Sequence, residues 1–200
     1  MMEKILYNIA KMKTDLFFQD IKNRDNIALI EDVDASVVSD FEAKFSQYQG
    51  NFFYEQFTRC GGIVIDNWIR LYGCGQLNVV EKNEAYNKSN LVDILIGEDI
   101  LGGLFGLKDG VVCYFAPDTN AWENMGVYYT QFLDWLLNKP EAVNIFYEPY
   151  RWSSWKEDCK QLKLTEGFHF YPLLQAKCDI EKRDRKIISI DELIRFNLSI

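Results

Sequence analysis

Histidine is a residue type that can act as a catalytic acid or base or bind a metal ion. His169 is the single histidine among the 200 residues, so zinc sites built on two or three histidines are excluded. It lies in the run Gly167-Phe168-His169-Phe170-Tyr171, where strand alternation places it opposite Phe168 and Phe170. We therefore interpret His169 as a partly exposed strand residue rather than a catalytic base.

The cysteines offer no paired ligands. The sequence contains no CxxC motif, and neighbouring cysteines in the chain are widely separated; they are Cys60, Cys74, Cys113, Cys159 and Cys178. An odd, scattered set is typical of a reducing compartment rather than of a disulfide framework. We predict no metal site, no cofactor and no internal disulfide.

Carboxylates could carry acid–base chemistry if burial raised the pKa of one of them. Such a site would be a cleft in which acidic side chains converge on Arg70; its members would be Asp66, Arg70, Glu98, Asp99 and Asp118. Acidic residues at strand ends are more often solvated turn formers, and Glu98-Asp99 before Gly102-Gly103 fits that description. No catalytic residue is therefore assigned, and the cleft remains an alternative.

A strand over Trp68 to Tyr72 would place Trp68, Arg70 and Tyr72 on one face, because side chains alternate along a strand. Aromatic and arginine side chains are enriched at protein interfaces. This face is either an exposed docking surface or a face covered by helices, and the sequence leaves both open.

Composition limits the class of protein. The chain is 48% hydrophobic and 15% aromatic, which excludes disorder, and its formal net charge is −8. An acidic surface disfavours both nucleic acid and anionic lipid as partners. The start of the chain has no signal-peptide pattern and no window is apolar enough to span a membrane, so the sequence predicts a cytoplasmic protein.

The element pattern predicts an α+β fold with a central, mainly antiparallel sheet and flanking helices at both chain ends. We expect one domain, 1–200, with a helical amino-terminal extension over 1–25 and a core over 26–200. Apolar spacing at Ile5, Ile9, Leu16 and Phe17 predicts one or two amphipathic helices in the extension.

Within the core, helices are expected at 35–48 (capped by Asp34), 52–57, 127–137, from Pro140, at 152–162 and after Ser189, and strands at 27–30, 63–65, 68–72, 91–96, 103–107 and 111–116. Asp109-Gly110 is a strong hairpin signal between the last two strands. Trp135 is expected to be buried against the sheet, and Trp152 and Trp155 to dock the carboxy-terminal region. The residues after Gly73-Cys74-Gly75 are not expected to open a helix, which argues against a phosphate loop.

Four longer motifs make the sequence resemble the bacterial domain-of-unknown-function family 2625 (DUF2625). The motifs are GGIVIDNWIRLYGCG (61–75), EDILGGLFGL (98–107), YFAPDTNAWENMGVYYTQFLDWLL (114–137) and YEPYRWSSWKED (147–158). The resemblance spans roughly residues 25–196 and brings no activity with it. Family members usually show Asp-His-Gly-Trp in the first motif, where this chain has Asp66-Asn67-Trp68.

The order of the elements is also similar to the SUKH superfamily. Acidic residues precede a glycine-rich strand, a hairpin strand ends in a polar turn and an aromatic helix follows; the matching positions are Glu98-Asp99, Gly102-Gly103, Tyr114-Phe115 and Phe132-Leu133. The resemblance implies a SUKH-like fold. It also implies a non-enzymatic role, since many bacterial members are similar to immunity proteins that bind toxins.

The sequence therefore favours a non-enzymatic protein-binding module, with Trp68, Arg70, Tyr72, Glu98, Asp99 and Asp118 as candidate binding residues. The acidic charge suits a basic partner such as a toxin or nuclease. The alternative is a small-ligand-binding protein or enzyme that uses the carboxylate and arginine cleft. The oligomeric state is left open.

Overall fold

A computed structural model describes residues 2–88 and 90–199, with the backbone alone for residues 2–11. The side chains of Ile5 and Ile9 therefore lie outside the described residues. The described chain divides into two compact units. The first runs through residue 66 and resumes over 70–88, and the second contains residues 67–69 and those described from 90 onward.

The first unit is mainly helical. Its elements are α1 (Met2–Ile21), β1 (Ile27–Ile30), α2 (Ala35–Phe45), α3 (Phe52–Phe57), β2 (Gly62–Ile65) and α4 (Val79–Tyr86), and the short strand β3 (Ile69–Leu71) is shared with the second unit. Strand β1 pairs antiparallel with β2, so that Ile27 lies opposite Ile65. The predicted bounds of β1 and α3 are confirmed.

Local signals set the helices of this unit. Asp34 accepts a hydrogen bond from the Ser36 backbone N–H at 2.8 Å, which confirms it as the N-cap of α2. The predicted amino-terminal helix forms as α1. Its Phe17 ring packs edge-to-face against Phe52 of α3 at 5.5 Å.

Three glycines of this unit lie where separate backbone segments are in direct contact. A Cβ at Gly61 or Gly75 would collide with the Asp32 carbonyl oxygen, and a Cβ at Gly73 would come within 2.8 Å of a backbone nitrogen. The Cys74 carbonyl accepts the Asp34 N–H at 2.8 Å across this crossing. These glycines are required by close backbone approach rather than by a phosphate.

The expectation that no helix opens after this glycine run is wrong. Helix α4 begins at Val79, because the Asn78 side chain accepts the N–H groups of Val80 and Glu81 at 3.0 and 3.1 Å. Asparagine is a strong N-cap, and this local signal was available in the sequence.

The second unit contains the rest of the chain. Its elements are β4 (Ile94–Asp99), β5 (Leu104–Lys108), β6 (Val111–Ala116), β7 (Ala121–Tyr128), α5 (Tyr129–Asn138), α6 (Pro140–Tyr147), α7 (Trp155–Cys159), β8 (Glu166–Tyr171), β9 (Asp184–Ser189) and α8 (Ile190–Asn197). Within this unit, β4 to β7 pair antiparallel in chain order, and β8 and β9 form a separate antiparallel pair. The predicted α+β class with an antiparallel sheet is confirmed.

The hairpin between β5 and β6 turns where the sequence predicts it. Asp109 and Gly110 both have positive φ, 51° and 79°, as a type I′ turn requires. The Asp109 N–H also donates to the Asp93 carboxylate at 2.7 Å. The predicted bounds of β6 are confirmed.

Strand β7 was not predicted, and part of it was assigned to the following helix. It pairs with β6, but the register shifts: Cys113 lies opposite Asn124, whereas Val111 lies opposite Tyr128. Strand β7 therefore carries two more residues than β6 over this stretch, and Gly126 in the bulge has a φ of 68°. Helix α5 begins only after the strand, at Tyr129.

The carboxy-terminal part of this unit follows several predictions. The buried Trp152 packs edge-to-face on Phe168 at 4.9 Å and on Phe170 at 5.6 Å, which confirms its docking role. His169 is half-buried on the other side of β8, as alternation predicts. Helix α8 forms after Ser189, but the Ser189 side chain makes no capping hydrogen bond.

No helix among the described residues is both long enough and apolar enough to cross a membrane. The same residues include no grouping of three or more histidine, cysteine or acidic side chains suited to holding a metal ion.

Candidate functional site

The face of Trp68, Arg70 and Tyr72 is buried. Their relative exposures are 0%, 2% and 0% in the described chain. Burial decides between the two interpretations that the sequence left open, in favour of a covered face. The candidate binding residues Trp68, Arg70 and Tyr72 are thus corrected to buried residues, because none of these side chains is accessible to a partner.

Within the second unit, aromatic rings and an arginine surround Trp68. Its ring lies 5.3 Å from Tyr147 and 5.2 Å from Trp155, both edge-to-face. The Arg151 guanidinium lies 4.9 Å from the centre of the Trp68 ring and 4.0 Å from that of Trp155. These contacts make Trp68 a core residue of that unit.

The acidic pair Glu98-Asp99 is also sealed, with both residues at 0% exposure. Asp99 accepts four hydrogen bonds. One carboxylate oxygen accepts the N–H groups of Leu101 at 2.9 Å and Gly103 at 3.0 Å, and the other accepts the hydroxyls of Tyr114 at 2.6 Å and Tyr147 at 3.0 Å. We call Asp99, Tyr114 and Tyr147 the Asp99 cluster.

The electrostatics of this cluster are set by burial. Burial raises the pKa of the Asp99 carboxyl, and the four donated hydrogen bonds oppose that shift. Burial, followed by the neighbouring Asp99 charge, also raises the pKa of Tyr114 and Tyr147 well above the usual value for tyrosine. Both hydroxyls point at Asp99 and stay protonated, so the cluster ties β4, β6 and α6 together.

Gly103 is needed for the cluster to close. A Cβ at this position would lie 2.7 Å from the second oxygen of Asp99 and would collide with the hydroxyl of Tyr114. Close packing within the second unit therefore requires a glycine at position 103.

The remaining candidate, Asp118, is half-buried. A hydrogen bond from Tyr150 reaches it, and burial together with this carboxylate raises the pKa of the Tyr150 hydroxyl. Glu98, Asp99 and Asp118 line neither of the two surface depressions described next. The carboxylate cleft of the alternative hypothesis thus gains no support from the geometry of this unit.

A groove of about 810 Å³ opens between β7, α5 and α6. Its apolar lining includes Tyr114, Met125, Val127, Trp135, Ile145 and Phe146, and polar side chains at its margin include Glu123, Gln131, Asp134 and Lys139. This volume is in the range of ligand-binding sites in proteins. We call it the β7 groove.

Aromatic rings form the floor of the β7 groove. Phe146 packs edge-to-face against Tyr114 at 5.4 Å and against Trp135 at 5.3 Å. The Tyr114 ring thus lines the groove while its hydroxyl belongs to the Asp99 cluster. The buried Tyr114 connects these rings to the core, because its hydroxyl donates to Asp99.

The expectation that Trp135 is buried against the sheet is wrong, since Trp135 is half-buried. The buried residues of α5 are Tyr129, Phe132, Leu133 and Leu136. At about 100° per residue, the centre of that face lies roughly 110° around the helix from Trp135. Trp135 therefore lies at the edge of the buried face, where it forms a wall of the groove.

Sequence reasoning missed this groove because it missed β7. One signal was present in α6, where Val143 and Tyr147 are buried and Ile145 lies between them in sequence. A residue two positions from each is on the far side of a helix. An isoleucine at this position faces away from the buried side of α6, and Ile145 is 71% exposed.

Comparison with known proteins places the chain in a family. The model of the family described as "Protein of unknown function DUF2625" matches residues 42–193, which is more than half of the chain. The chain belongs to the DUF2625 family. The resemblance drawn from the four sequence motifs is therefore confirmed, and the matched range includes the β7 groove and the Asp99 cluster.

Relatives of this DUF2625 chain include two bacterial proteins. It is 37% identical over 145 residues to YbfG, an uncharacterized protein of Escherichia coli strain K12, with 66% of each chain covered. It is 29% identical over 157 residues to an uncharacterized protein of Haemophilus influenzae, with 70% of this chain and 68% of the relative covered. The chain thus spans about two thirds of the length of these relatives.

No solved structure matches this DUF2625 chain. The comparisons accordingly give no support to the SUKH resemblance, and the α+β class with its antiparallel sheet stands without it.

Proposed function

We propose that this chain is a non-enzymatic protein-binding module and that the β7 groove is its binding surface. The observation that carries the proposal is an open groove with an aromatic floor, held in place by the sealed Asp99 cluster. Apolar surface that is exposed in a concave site is a common mark of a partner.

The rim of the groove favours a protein over a small molecule. Ile145 is 71% exposed and lines both the β7 groove and a neighbouring depression of about 560 Å³. Tyr128, next to the lining residue Val127, is 62% exposed. A partner that covers these side chains must extend beyond the groove, which a ligand of drug size does not do.

Charge supports a basic partner. The chain carries a formal net charge of −8, and complementary charge raises association rates between proteins. An immunity role, in which the bound protein is a basic toxin or nuclease, is the narrower form of this proposal. The SUKH resemblance suggested that form, and the identity of the partner tests it.

The buried carboxylates favour binding over catalysis. An acid or base must reach its substrate, directly or through one water molecule. Asp99 is fully buried, and each of its two oxygens already accepts two hydrogen bonds. Its arrangement is that of a structural carboxylate.

The test is affinity capture by the tagged chain in cells of the source organism, followed by titration of the purified partner. Two groove variants, Ile145→Ser and Trp135→Ala, are compared with Leu91→Ser. Leu91 is a matched control because it is apolar, exposed and in the same unit, but does not line the groove.

We expect each groove variant to weaken the complex about tenfold or more, as for interface anchors, and Leu91→Ser to bind like the parent. Unchanged affinity in both groove variants would contradict the proposal. Failure of the parent chain to retain any protein reproducibly would contradict it as well.

A further inference from the structure

The two acidic side chains of the β7 groove differ in how their charge is compensated. Asp134 pairs with the Lys139 ammonium at 3.0 Å and accepts the Asn138 amide at 2.9 Å. The Asn138 hydrogen bond and the Lys139 cation keep the pKa of Asp134 below its usual value. Asp134 is therefore ionised and already matched with a cation.

Glu123 has no such match. Among the described residues, the Glu123 carboxylate accepts a hydrogen bond from the Thr119 hydroxyl at 3.4 Å, and no described ion pair includes Glu123. Glu123 is exposed at the margin of the groove, on β7. One of the two acidic side chains of the groove thus keeps an uncompensated negative charge, whereas the other belongs to a neutralised pair.

The Tyr150 hydroxyl reports the same negative field. After burial, the largest causes that raise the pKa of Tyr150 are its hydrogen bond to Asp118 and the charges of Asp118 and Glu123. Two carboxylates, Asp118 and Glu123, thus act on the same hydroxyl.

The walls of the groove suit a cation as well. Trp135 and Phe146 line it, and a cation over an aromatic face is attracted by the negative charge density of the ring. Arginine and lysine also carry long apolar stems that pack on apolar surface while the charged group reaches water or a carboxylate.

We propose that the β7 groove takes an arginine or lysine side chain of the partner protein, next to an apolar side chain in the same segment. The apolar side chain packs on Ile145 and Met125. The stem of the basic side chain packs across Trp135 and Phe146, and its charged end reaches Glu123. This inference rests on the proposed function and names the chemistry of the partner that the groove recognises.

The test uses two peptides that differ by one charge. Acetyl-leucyl-arginine amide and acetyl-leucyl-citrulline amide have nearly the same shape, but citrulline is neutral. Each is titrated into the full chain at two salt concentrations while the indole N–H signal of Trp135 is followed by NMR.

We expect the arginine peptide to bind about three- to fivefold more tightly than the citrulline peptide at low salt, with a smaller advantage at high salt. Equal affinities of the two peptides would overturn the inference. So would the absence of any shift at Trp135 with either peptide.

Variants assign the preference to one carboxylate. Glu123→Gln removes the negative charge of this side chain. We expect this variant to bind the arginine peptide no more tightly than the citrulline peptide. Glu141→Gln is the matched control, since Glu141 is an exposed carboxylate on α6 that does not line the groove. An arginine advantage that persists in Glu123→Gln would overturn the assignment.

Two further results separate this inference from the function on which it rests. If partner binding is lost in Ile145→Ser but is unchanged in Glu123→Gln, the groove is the binding surface and the inference on cation recognition is wrong. If tetramethylammonium binds as tightly as the arginine peptide, the groove takes a small organic cation, and a side chain of a protein partner is excluded as its occupant.

Discussion

The Asp99 cluster and the β7 groove share residues but have opposite properties. Tyr114 belongs to both, because its hydroxyl donates to Asp99 and its ring lines the groove. The cluster contains an acidic residue of the kind found in catalytic sites, yet this residue is fully buried. The groove is lined by apolar residues of the kind found in a protein core, yet it is open to solvent. On the function proposed above, the residue type alone would therefore indicate a different region from the one that binds the partner.

Accessibility and hydrogen bonding explain that difference. A buried carboxylate that accepts four hydrogen bonds stabilises the fold and has no lone pair left for a substrate. An exposed isoleucine beside half-buried aromatic rings stabilises the fold little and gains most when a partner covers it. Substitutions in the two regions should therefore separate stability from binding.

The largest effect is expected at the centre of the cluster. Asp99→Ala leaves two backbone N–H groups and two tyrosine hydroxyls without their acceptor, at about 1–3 kcal/mol for each buried group left unsatisfied. We expect the free energy of unfolding to fall by at least about 3 kcal/mol in urea denaturation. A melting temperature within two degrees of the parent would show that the cluster does not hold the unit together.

A smaller loss is expected from overpacking. Gly103→Ala places a methyl group against Asp99 and the Tyr114 hydroxyl and should cost about 1–3 kcal/mol. Tyr114→Phe removes that hydroxyl, so the double variant should lose less stability than the sum of the single variants. Strict additivity in this double-mutant cycle would contradict the close contact.

The cluster should also give a characteristic pH dependence. Because the pKa of Asp99 is raised in the folded state, the folded chain holds a proton that the unfolded chain releases above about pH 4. The contribution of Asp99 to stability is then fully present below the unfolded pKa and is lost as pH rises through the folded pKa. Its slope reaches about −1.4 kcal/mol per pH unit within that window.

Asp99→Asn removes this titration and isolates it. Carboxyls with a lowered pKa, such as Asp34 and Asp134, give the opposite slope in both proteins. The measurement is the difference between parent and variant in unfolding free energy across pH 3 to 8. A difference that does not change with pH would show that the pKa of Asp99 is not raised.

The wall that Trp135 forms is expected to matter less for stability. Trp135 is half-buried, so Trp135→Ala should lower the free energy of unfolding by about 1–2 kcal/mol, below the loss for a fully buried tryptophan. Thermal denaturation checks this value. A loss as large as that of Asp99→Ala would place Trp135 in the core and weaken its assignment to the groove.

The smallest effect on stability is expected at the rim. Ile145→Ser replaces an exposed side chain and should change the free energy of unfolding by about 0.5 kcal/mol or less. The same variant is expected to weaken the partner complex. If Ile145→Ser is clearly destabilised in denaturation, its loss of binding is no longer evidence for a surface contact.

The sequence predicted best where the signal is local. The Asp34 cap, the Asp109-Gly110 turn and the apolar run of β1 depend on residues within a few positions, and all three are confirmed. Strand β7 forms because β6 offers a partner, although its sequence Ala121–Tyr128 shows no regular alternation. Strand β9 was also missed, because it too forms by pairing with a neighbouring strand, β8.

The groove could not be predicted because it depends on that missed strand. Once β7 is placed, Met125 and Val127 approach the edge of α5, and Trp135 becomes a wall rather than a core residue. The buried state of Asp99 likewise depends on contacts made by distant parts of the chain, such as Tyr147. The family, in contrast, is readable from the motifs alone.

Site-specific photo-crosslinking in cells tests the central claim most directly. A benzophenone side chain replaces Ile145 in one protein and Leu91 in another, and conjugates are compared after irradiation. The account predicts a conjugate with the partner at position 145 and none at position 91, and predicts that Trp135→Ala in the same chain removes it. Equal conjugates at both positions, or a partner that binds but crosslinks only at position 91, would contradict the assignment of the β7 groove as the binding surface.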